Sequence, residues 1–201
     1  MKTISLVSQK GGVGKSTLAS NLAAYASSKG LKTTIIDLDK QSSLTAWYGL
    51  RLRHTDDVAL LLEGMPLVDQ IKQQEQAGFD LCIIDTPPHN STEAANAVRA
   101  SDITIVPVRA SAFDLLASQP TFELLANNRG GVVLNGVPSG SAVKDSAIEL
   151  VKQNGLKVLA VIGQRVAFQH AISFGKGVTE YQPKSKASEE IKGLWETIIK
   201  L

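Results

Sequence analysis

The sequence has little cysteine and little net charge: 201 residues contain one cysteine, Cys82, and carry a formal net charge of +2. A single cysteine excludes an internal disulfide bond and a zinc site built from several cysteines, which suits a reducing cytosol. Long apolar runs are also missing, since none approaches the roughly 20 residues of a membrane-spanning helix. The N-terminus lacks the pattern of a signal peptide. We therefore expect a cytoplasmic protein.

What the sequence does contain is the composition of a globular protein. Hydrophobic residues make up 43% and charged residues 20% of the chain, which argues against disorder. A chain of this length can bury a sizeable core, and no linker, internal repeat or low-complexity tract divides it. We expect one domain over residues 1–201.

Short apolar segments alternate along the chain with segments of helical periodicity. Six segments are apolar and β-branched at both alternate positions, which is typical of strands buried on both faces: 3–8, 32–37, 80–85, 103–108, 131–135 and 157–162. Helices are predicted at 16–28, 66–77, 91–100, 114–127, 143–154 and 187–200. This alternation predicts an α/β fold, a mostly parallel, twisted sheet with helices on both faces and ligands at the carboxyl ends of the strands.

The segment SQKGGVGKST, residues 8–17, joins the first predicted strand to the first predicted helix. Its glycines let the backbone approach an anion, and N–H groups at a helix N-terminus can surround phosphate oxygens. We expect a phosphate-binding loop (P-loop) in which Lys15 reaches the β- and γ-phosphates and Ser16 ligates Mg²⁺. The predicted nucleotide-binding residues of the loop are Lys10, Gly11, Gly12, Val13, Gly14, Lys15, Ser16 and Thr17. The alternative is a glycine turn capped by Ser16 or Thr17.

The loop departs from the common P-loop pattern, because Gln9 replaces the first glycine and Lys10 adds a second lysine. In this it resembles the deviant P-loop of the ParA/MinD superfamily of ATPases, and the spacing of Lys10, the glycines and Lys15 matches. The resemblance implies Mg²⁺-dependent ATP hydrolysis and a sandwich homodimer that forms on ATP binding. It implies that Lys10 reaches the nucleotide of the partner subunit, as an arginine finger does in trans. The alternative is a solvated lysine at the edge of the loop.

A pair of carboxylates follows the second predicted strand, in the segment IIDLDKQSS. Asp37 and Asp39 would share one face of an extended backbone, and such close charges are costly unless a cation or a water-mediated task engages them. The resemblance implies that Asp39 positions the attacking water, and a water-mediated contact to Mg²⁺ is a second role for it. Lys40 stands where the family usually has proline. One of the two aspartates could instead cap the following turn, and the role of Asp37 stays open.

The segment FDLCIIDTPPH ends a third apolar strand on Asp85, where a Walker B carboxylate holds Mg²⁺ directly or through water. Its DTPP sequence matches the motif that the family usually has at this position. Cys82, in the same strand, is expected to pack in the core. His54 and His89 are interpreted as bystanders, because phosphoryl transfer depends on positioning and charge. Asn135 matches a family position whose amide contacts adenine, and a turn residue is the alternative.

The last third of the chain resembles the C-terminal part of ParA-type ATPases that partition plasmids and chromosomes. The resemblance implies contact with nonspecific DNA on the nucleoid, and a centromere-binding partner of the ParB type that stimulates slow hydrolysis. Arg165, Lys176, Lys184 and Lys186 make this segment locally basic, which suits phosphate contacts without base readout. A solvated basic turn is the alternative for each of them. No segment before the first strand is long enough for an operator-binding helix-turn-helix, so we expect the compact class of this family.

The main alternative function is membrane cycling for placement of the division site, as in the MinD branch, which uses a C-terminal amphipathic helix. The tail EEIKGLWETIIKL has apolar residues at helical spacing, but its polar face carries few basic residues. We therefore expect this helix to pack on the sheet and membrane binding to be absent. An iron–sulfur relative would need more cysteines, and a ligase of the dethiobiotin-synthetase type would lack Lys10.

Overall fold

A computed structural model describes residues 1–61, 64–89, 92–125, 129–140 and 143–201. The strands in this part of the chain are β1 (Lys2–Leu6), β2 (Thr33–Asp37), β3 (Val58–Leu61), β4 (Leu81–Asp85), β5 (Ile103–Val108), β6 (Gly130–Val137) and β7 (Val158–Gly163). The helices are α1 (Lys15–Ser28), α2 (Ser43–Arg51), α3 (Leu67–Gln76), α4 (Thr92–Ala100), α5 (Ala112–Ala117), α6 (Gln119–Leu125), α7 (Val143–Gln153), α8 (Val166–Ser173), α9 (Val178–Tyr181) and α10 (Lys186–Ile198).

The strands form one seven-stranded sheet in the order β3-β2-β4-β1-β5-β6-β7. Every pairing between neighbouring strands is parallel, so all carboxyl ends lie along one edge. The register places Asp85 at the end of β4 opposite both Leu6 of β1 and Asp37 of β2. The predicted parallel sheet is thereby confirmed, and the edge that should hold the ligand carries acidic residues.

Apolar residues alternate between the two faces of the sheet, and helices cover each face. In β4, Ile83 belongs to the largest buried cluster, which includes residues of α1 and α10. Its neighbours Ile84 and Cys82 belong to a different cluster, where they pack with Ala97 of α4. A further cluster joins β5 and β6 to α7. Cys82 is fully buried and unpaired with another cysteine, as predicted for a core residue. Strands buried on both faces are what parallel sheets require.

The C-terminal helix α10 buries its apolar face in this core. Ile191, Leu194 and Ile198 are at most 1% exposed, and Trp195 meets Tyr25 of α1 edge to face, with ring centroids 6.1 Å apart. The expectation that this helix packs on the sheet is confirmed. Within the described residues, no helix combines the length and apolarity needed to cross a lipid bilayer.

Several elements differ from the sequence prediction. Residues 42–58 contain α2 and lead into β3, although the sequence predicts no regular structure there. The predicted helix 114–127 is two helices that meet at Ser118, because Pro120 in the first turn of α6 has no N–H to continue α5. Residues 126 and 127 of that prediction, and residue 91 of another, lie outside the described residues. Helices α8 and α9 were not predicted.

A buried arginine explains why α2 was missed. The buried residues of α2 are Leu44, Trp47 and Arg51, which follow helical spacing. The last of them is charged, and its side chain is only 2% exposed. The Arg51 guanidinium donates to Asp57 at 2.7 and 2.8 Å, and to Glu180 at 2.9 and 3.0 Å. This network ties α2 to the segment before β3 and to α9. Although burial acts to raise it, the hydrogen bonds from Arg51 and Ser27 hold the pKa of Asp57 below its usual value.

Candidate nucleotide-binding site

The glycine-rich loop leaves β1 at the centre of the sheet and leads into α1, whose first residue is Lys15. Gly12 and Gly14 have φ values of 72° and 95°, in the left-handed region that favours glycine. A Cβ atom on Gly14 would lie 2.3 Å from the amide nitrogen of Asn135. The loop therefore needs glycine at these positions, and its N–H groups lie at a helix N-terminus, where anions bind.

Lys15 lies inside the loop rather than in solvent. The residue is 6% exposed, and its Nζ donates to the Ser8 carbonyl at 3.4 Å. Burial lowers the pKa of Lys15, while the nearby carboxylates of Asp85 and Asp39 act to raise it. Lys15 also lines the cleft beside the loop. Its contact with the β- and γ-phosphates stays a prediction.

Asp85 is fully buried at the end of β4. Its carboxylate oxygens make no hydrogen bond of normal geometry among the described residues, and the Ser16 hydroxyl lies close enough to act on them. Burial raises the pKa of Asp85 to about 7, the nearby Ser16 hydroxyl acts to lower it, and Asp37 acts to raise it further. A carboxylate without partners beside a serine hydroxyl is an oxygen donor set that suits Mg²⁺, which binds through one or two protein groups plus phosphates and water. The residues present therefore fit the predicted metal.

The structure separates the two aspartates that follow β2. Asp37 accepts hydrogen bonds from the N–H and hydroxyl of Thr45, at 2.8 and 2.9 Å, and so anchors the first turn of α2. Asp39 lines the cleft beside the P-loop, and its Oδ1 accepts the N–H of Gln41 at 3.0 Å. Asp37 thus makes a structural contact with α2, and its part in the site stays open.

Lys10 forms an ion pair with Asp114 of α5, and Asp114 also accepts a hydrogen bond from the Ser111 hydroxyl. The Lys10 side chain remains 47% exposed, whereas that of Asp114 is 12% exposed. Lys10 thus has a carboxylate partner within its own chain and still lies at the solvent-exposed edge of the loop. Its contact with a partner subunit's nucleotide stays a prediction. The adjacent Phe113 is 85% exposed.

Two side chains from the β5 and β6 side of the sheet donate hydrogen bonds to the P-loop backbone. The Asn135 amide nitrogen donates to the Val13 carbonyl at 2.7 Å, and Arg109 Nη2 donates to the Gly12 carbonyl at 3.1 Å. The adenine contact expected of Asn135 stays a prediction. Sequence reasoning missed Arg109, although its position directly after β5, at the edge that carries the ligand site, could have indicated it.

One cleft of about 580 Å³, a size typical of small-molecule sites, lies beside the P-loop. Eight residues of the predicted nucleotide and metal site line it: Gly11, Gly12, Gly14, Lys15, Ser16, Thr17, Asp39 and Asn135. Val13 instead packs inward and is 1% exposed. The structure therefore brings together most of the residues that the sequence selected, on the carboxyl edge of the sheet.

The four basic residues proposed from the C-terminal third differ in their surroundings. Arg165 lines the cleft and donates to Glu190, with Nη2 and Oε1 2.6 Å apart. Lys176 is half-buried between α8 and α9. Lys184 and Lys186 are exposed at the start of α10. The last two are therefore better placed to meet a phosphate backbone than Arg165, whose charge is already paired.

Residues 4–178 match the model of a protein family described as the CobQ/CobB/MinD/ParA nucleotide binding domain. Among curated proteins, the chain is 28% identical to the chromosome-partitioning ATPase Soj of Thermus thermophilus over 240 residues, with 99% of this chain and 96% of Soj covered. It is 24% identical to the maintenance of carboxysome distribution protein A of Halothiobacillus neapolitanus, with 98% and 96% covered.

Solved structures share the fold. The septum site-determining protein MinD of Pyrococcus horikoshii, complexed with Mg-ADP, superposes with a TM-score of 0.78 at 19% identity, over 98% of this chain and 95% of MinD. The seven-stranded parallel sheet with helices on both sides is thus that of the P-loop NTPases of the MinD and ParA type. The family description names nucleotide binding, and the matched residues include the glycine-rich loop.

Proposed function

Because the chain belongs to the CobQ/CobB/MinD/ParA nucleotide-binding domain family, we propose that residues 1–201 form one Mg²⁺-dependent ATPase domain that partitions cargo along DNA. The observation that carries this proposal is a P-loop that contains a second, half-exposed lysine, Lys10. In the same site, the carboxylates of Asp39 and Asp85 lie near Lys15. The relative named as a chromosome-partitioning ATPase matches this chain along nearly all of its length and supports the same assignment.

The residues of the cleft have distinct roles in the proposed hydrolysis. The N–H groups of the loop and Lys15 would bind the phosphates, and Ser16 together with Asp85, through water, would hold Mg²⁺. The metal supplies positive charge that offsets the charge developing on the phosphates. Asp39, with its side chain in the cleft, orients the attacking water or contacts the metal through water. Asn135 keeps its proposed contact with adenine.

We propose that ATP drives two copies together across the open side of this cleft. In the dimer, Lys10 leaves Asp114 and contacts the phosphates that the partner subunit binds. It thereby adds a positive charge to the partner's nucleotide site. Two observations support this proposal: the Lys10 side chain is half exposed, and the apolar side chains of Phe113 and Leu116 on α5 are 85% and 58% exposed beside it. Burying such apolar surface stabilises association.

The proposed cargo cycle follows from dimerisation. Lys184 and Lys186, with Lys176 and Arg165 as weaker candidates, would be doubled in the dimer, which raises affinity for the phosphate backbone without base readout. The protein would then reside on the nucleoid in the cytoplasm until a ParB-like centromere-binding partner stimulates hydrolysis and releases it. The two relatives are named for chromosome partitioning and for carboxysome distribution, so plasmid, chromosome and protein-cluster cargo are all compatible with the fold.

Pelleting of nonspecific DNA with the protein in ATP, in ADP and without nucleotide tests this proposal. We expect co-pelleting with ATP only, at low salt. Parallel sedimentation with anionic vesicles tests the membrane-cycling alternative, for which the buried apolar face of α10 offers no support. Vesicle binding without DNA binding would replace the partitioning proposal with that alternative.

A further inference from the structure

Arg109 occupies a position in the cleft that neither the motifs nor the proposed hydrolysis explains. It follows β5 directly, and its side chain runs sideways over the end of β6 to reach the Gly12 carbonyl. The guanidinium lies so close to Gly136 that a Cβ atom there would be 1.7 Å from Nη1. Gly136 also has a φ of 64°, a left-handed conformation that favours glycine, and a side chain there would displace the guanidinium of Arg109.

Arg109 has no carboxylate partner among the residues that the structure describes, where the ion pairs of arginine are those of Arg51 and Arg165. Arg109 is half-buried, and one of its five N–H donors is used for the Gly12 carbonyl. A half-buried arginine without a carboxylate partner at the wall of a cleft is available for a ligand.

The strand order determines which end of a nucleotide lies near Arg109. Asp39 follows β2 and Asp85 ends β4, so both carboxylates lie on one side of β1. Arg109 follows β5 and Asn135 lies near the end of β6, on the other side. Residues 163–165, at the end of β7 and just after it, continue the same wall. If Mg²⁺ and the terminal phosphates occupy the acidic side, the base and ribose extend over the ends of β5 to β7.

From this arrangement we propose that Arg109 stacks its guanidinium on the base of the bound nucleotide, next to the Asn135 amide. The inference rests on the proposed binding of a nucleoside triphosphate. Guanidinium groups are planar and weakly hydrated, and they stack on aromatic rings. Gly136 leaves the space in which the arginine side chain lies, so these two residues form a base-binding surface together.

Calorimetric titration can distinguish the contribution of the nucleoside to affinity from that of the phosphates. Mg²⁺·ATP, Mg²⁺·ADP and Mg²⁺·tripolyphosphate, which has no nucleoside, are titrated into the wild type and Arg109→Ala, with tripolyphosphate also followed by competition against ATP. We expect the substitution to weaken ATP and ADP binding about tenfold and to change tripolyphosphate binding less than twofold. Arg53→Ala, which removes an exposed arginine from another part of the chain, should leave all three unchanged.

Arg109→Lys keeps the charge and a donor for the Gly12 carbonyl but lacks the planar surface, and it tests the proposal if the alanine variant does not fold. We expect the lysine variant to bind ATP more weakly than the wild type and tripolyphosphate equally well. An equal loss for all three ligands, or full ATP affinity in the lysine variant, would overturn the stacking role. If the wild type itself binds no ATP, the proposed function fails; if it binds ATP and Arg109→Ala does so equally well, only this inference fails.

Discussion

At the scale of single residues, Lys10 is the side chain on which the proposed dimer depends. We predict that Lys10→Ala still binds ATP but no longer dimerises with it, because Lys15 and the loop N–H groups remain while the cation offered to the partner is lost. Sedimentation velocity with a non-hydrolysable ATP analogue measures this, and Lys40→Ala, at an exposed position nearby, is the matched control. A normal ATP-dependent dimer in Lys10→Ala would contradict the trans role.

The two aspartates after β2 give a second prediction at this scale. Asp39→Ala should dimerise with ATP but hydrolyse it at least about a hundredfold more slowly, the size expected when a group that positions a proton or a water is removed. Asp37→Ala should instead lower the stability of the nucleotide-free protein by about 1 kcal/mol, since it loses the bonds to the first turn of α2. Phosphate release and urea unfolding measure the two effects. Wild-type turnover in Asp39→Ala would remove this residue from the site.

How much of the site the sequence predicts depends on how local each interaction is. Lys15, Ser16 and Asp85 could be selected because they belong to short motifs at predicted strand ends. Asp114 could not, because its partner Lys10 is 104 residues away along the chain. Arg109 follows a predicted strand directly, but its contact with Gly12, 97 residues away, is not visible in the sequence. Only the strand order brings these groups together, and periodicity in one sequence does not reveal that order.

At the scale of elements, six strands could be predicted because each is apolar on both faces and long enough to be distinguished. Strand β3 has only four residues, of which Val58 alone is buried, since it lies at the edge of the sheet. Helix α2 escaped prediction because Arg51 occupies one of its inward positions. Prediction thus failed where a buried charge or an edge position replaced the usual apolar pattern.

The Arg51 network makes the attachment of α2, β3 and α9 dependent on pH. The pKa of Asp57 is lowered in the folded protein, so its contribution to stability is complete above its unfolded value of 3.8 and is lost as the pH falls below that value. We predict that Asp57→Asn is less stable than the wild type at pH 7 and that the difference shrinks between pH 4 and pH 3. Urea unfolding across this range measures it. Asp56→Asn is the exposed control, and a difference independent of pH would contradict the ion pair.

At the scale of the whole molecule, DNA binding is expected to depend on a small basic area rather than on net charge, which is only +2. We predict that Lys184→Ala with Lys186→Ala weakens ATP-dependent DNA binding and reduces its dependence on salt, by about 0.9 in the logarithmic slope for each DNA phosphate that the protein no longer neutralises. Lys72→Ala with Lys152→Ala removes the same charge from exposed positions on α3 and α7. Equal salt slopes for the two double variants would move the DNA-binding role to another surface.

The ion pair between the P-loop and α5 has a consequence for the timing of assembly. In the proposed dimer, Lys10 would have to leave Asp114, whose side chain is only 12% exposed and accepts a further hydrogen bond from the Ser111 hydroxyl. Removing one partner of a partly buried ion pair costs free energy. The proposed exchange therefore requires that the phosphates of the neighbouring molecule attract Lys10 more strongly than Asp114 does.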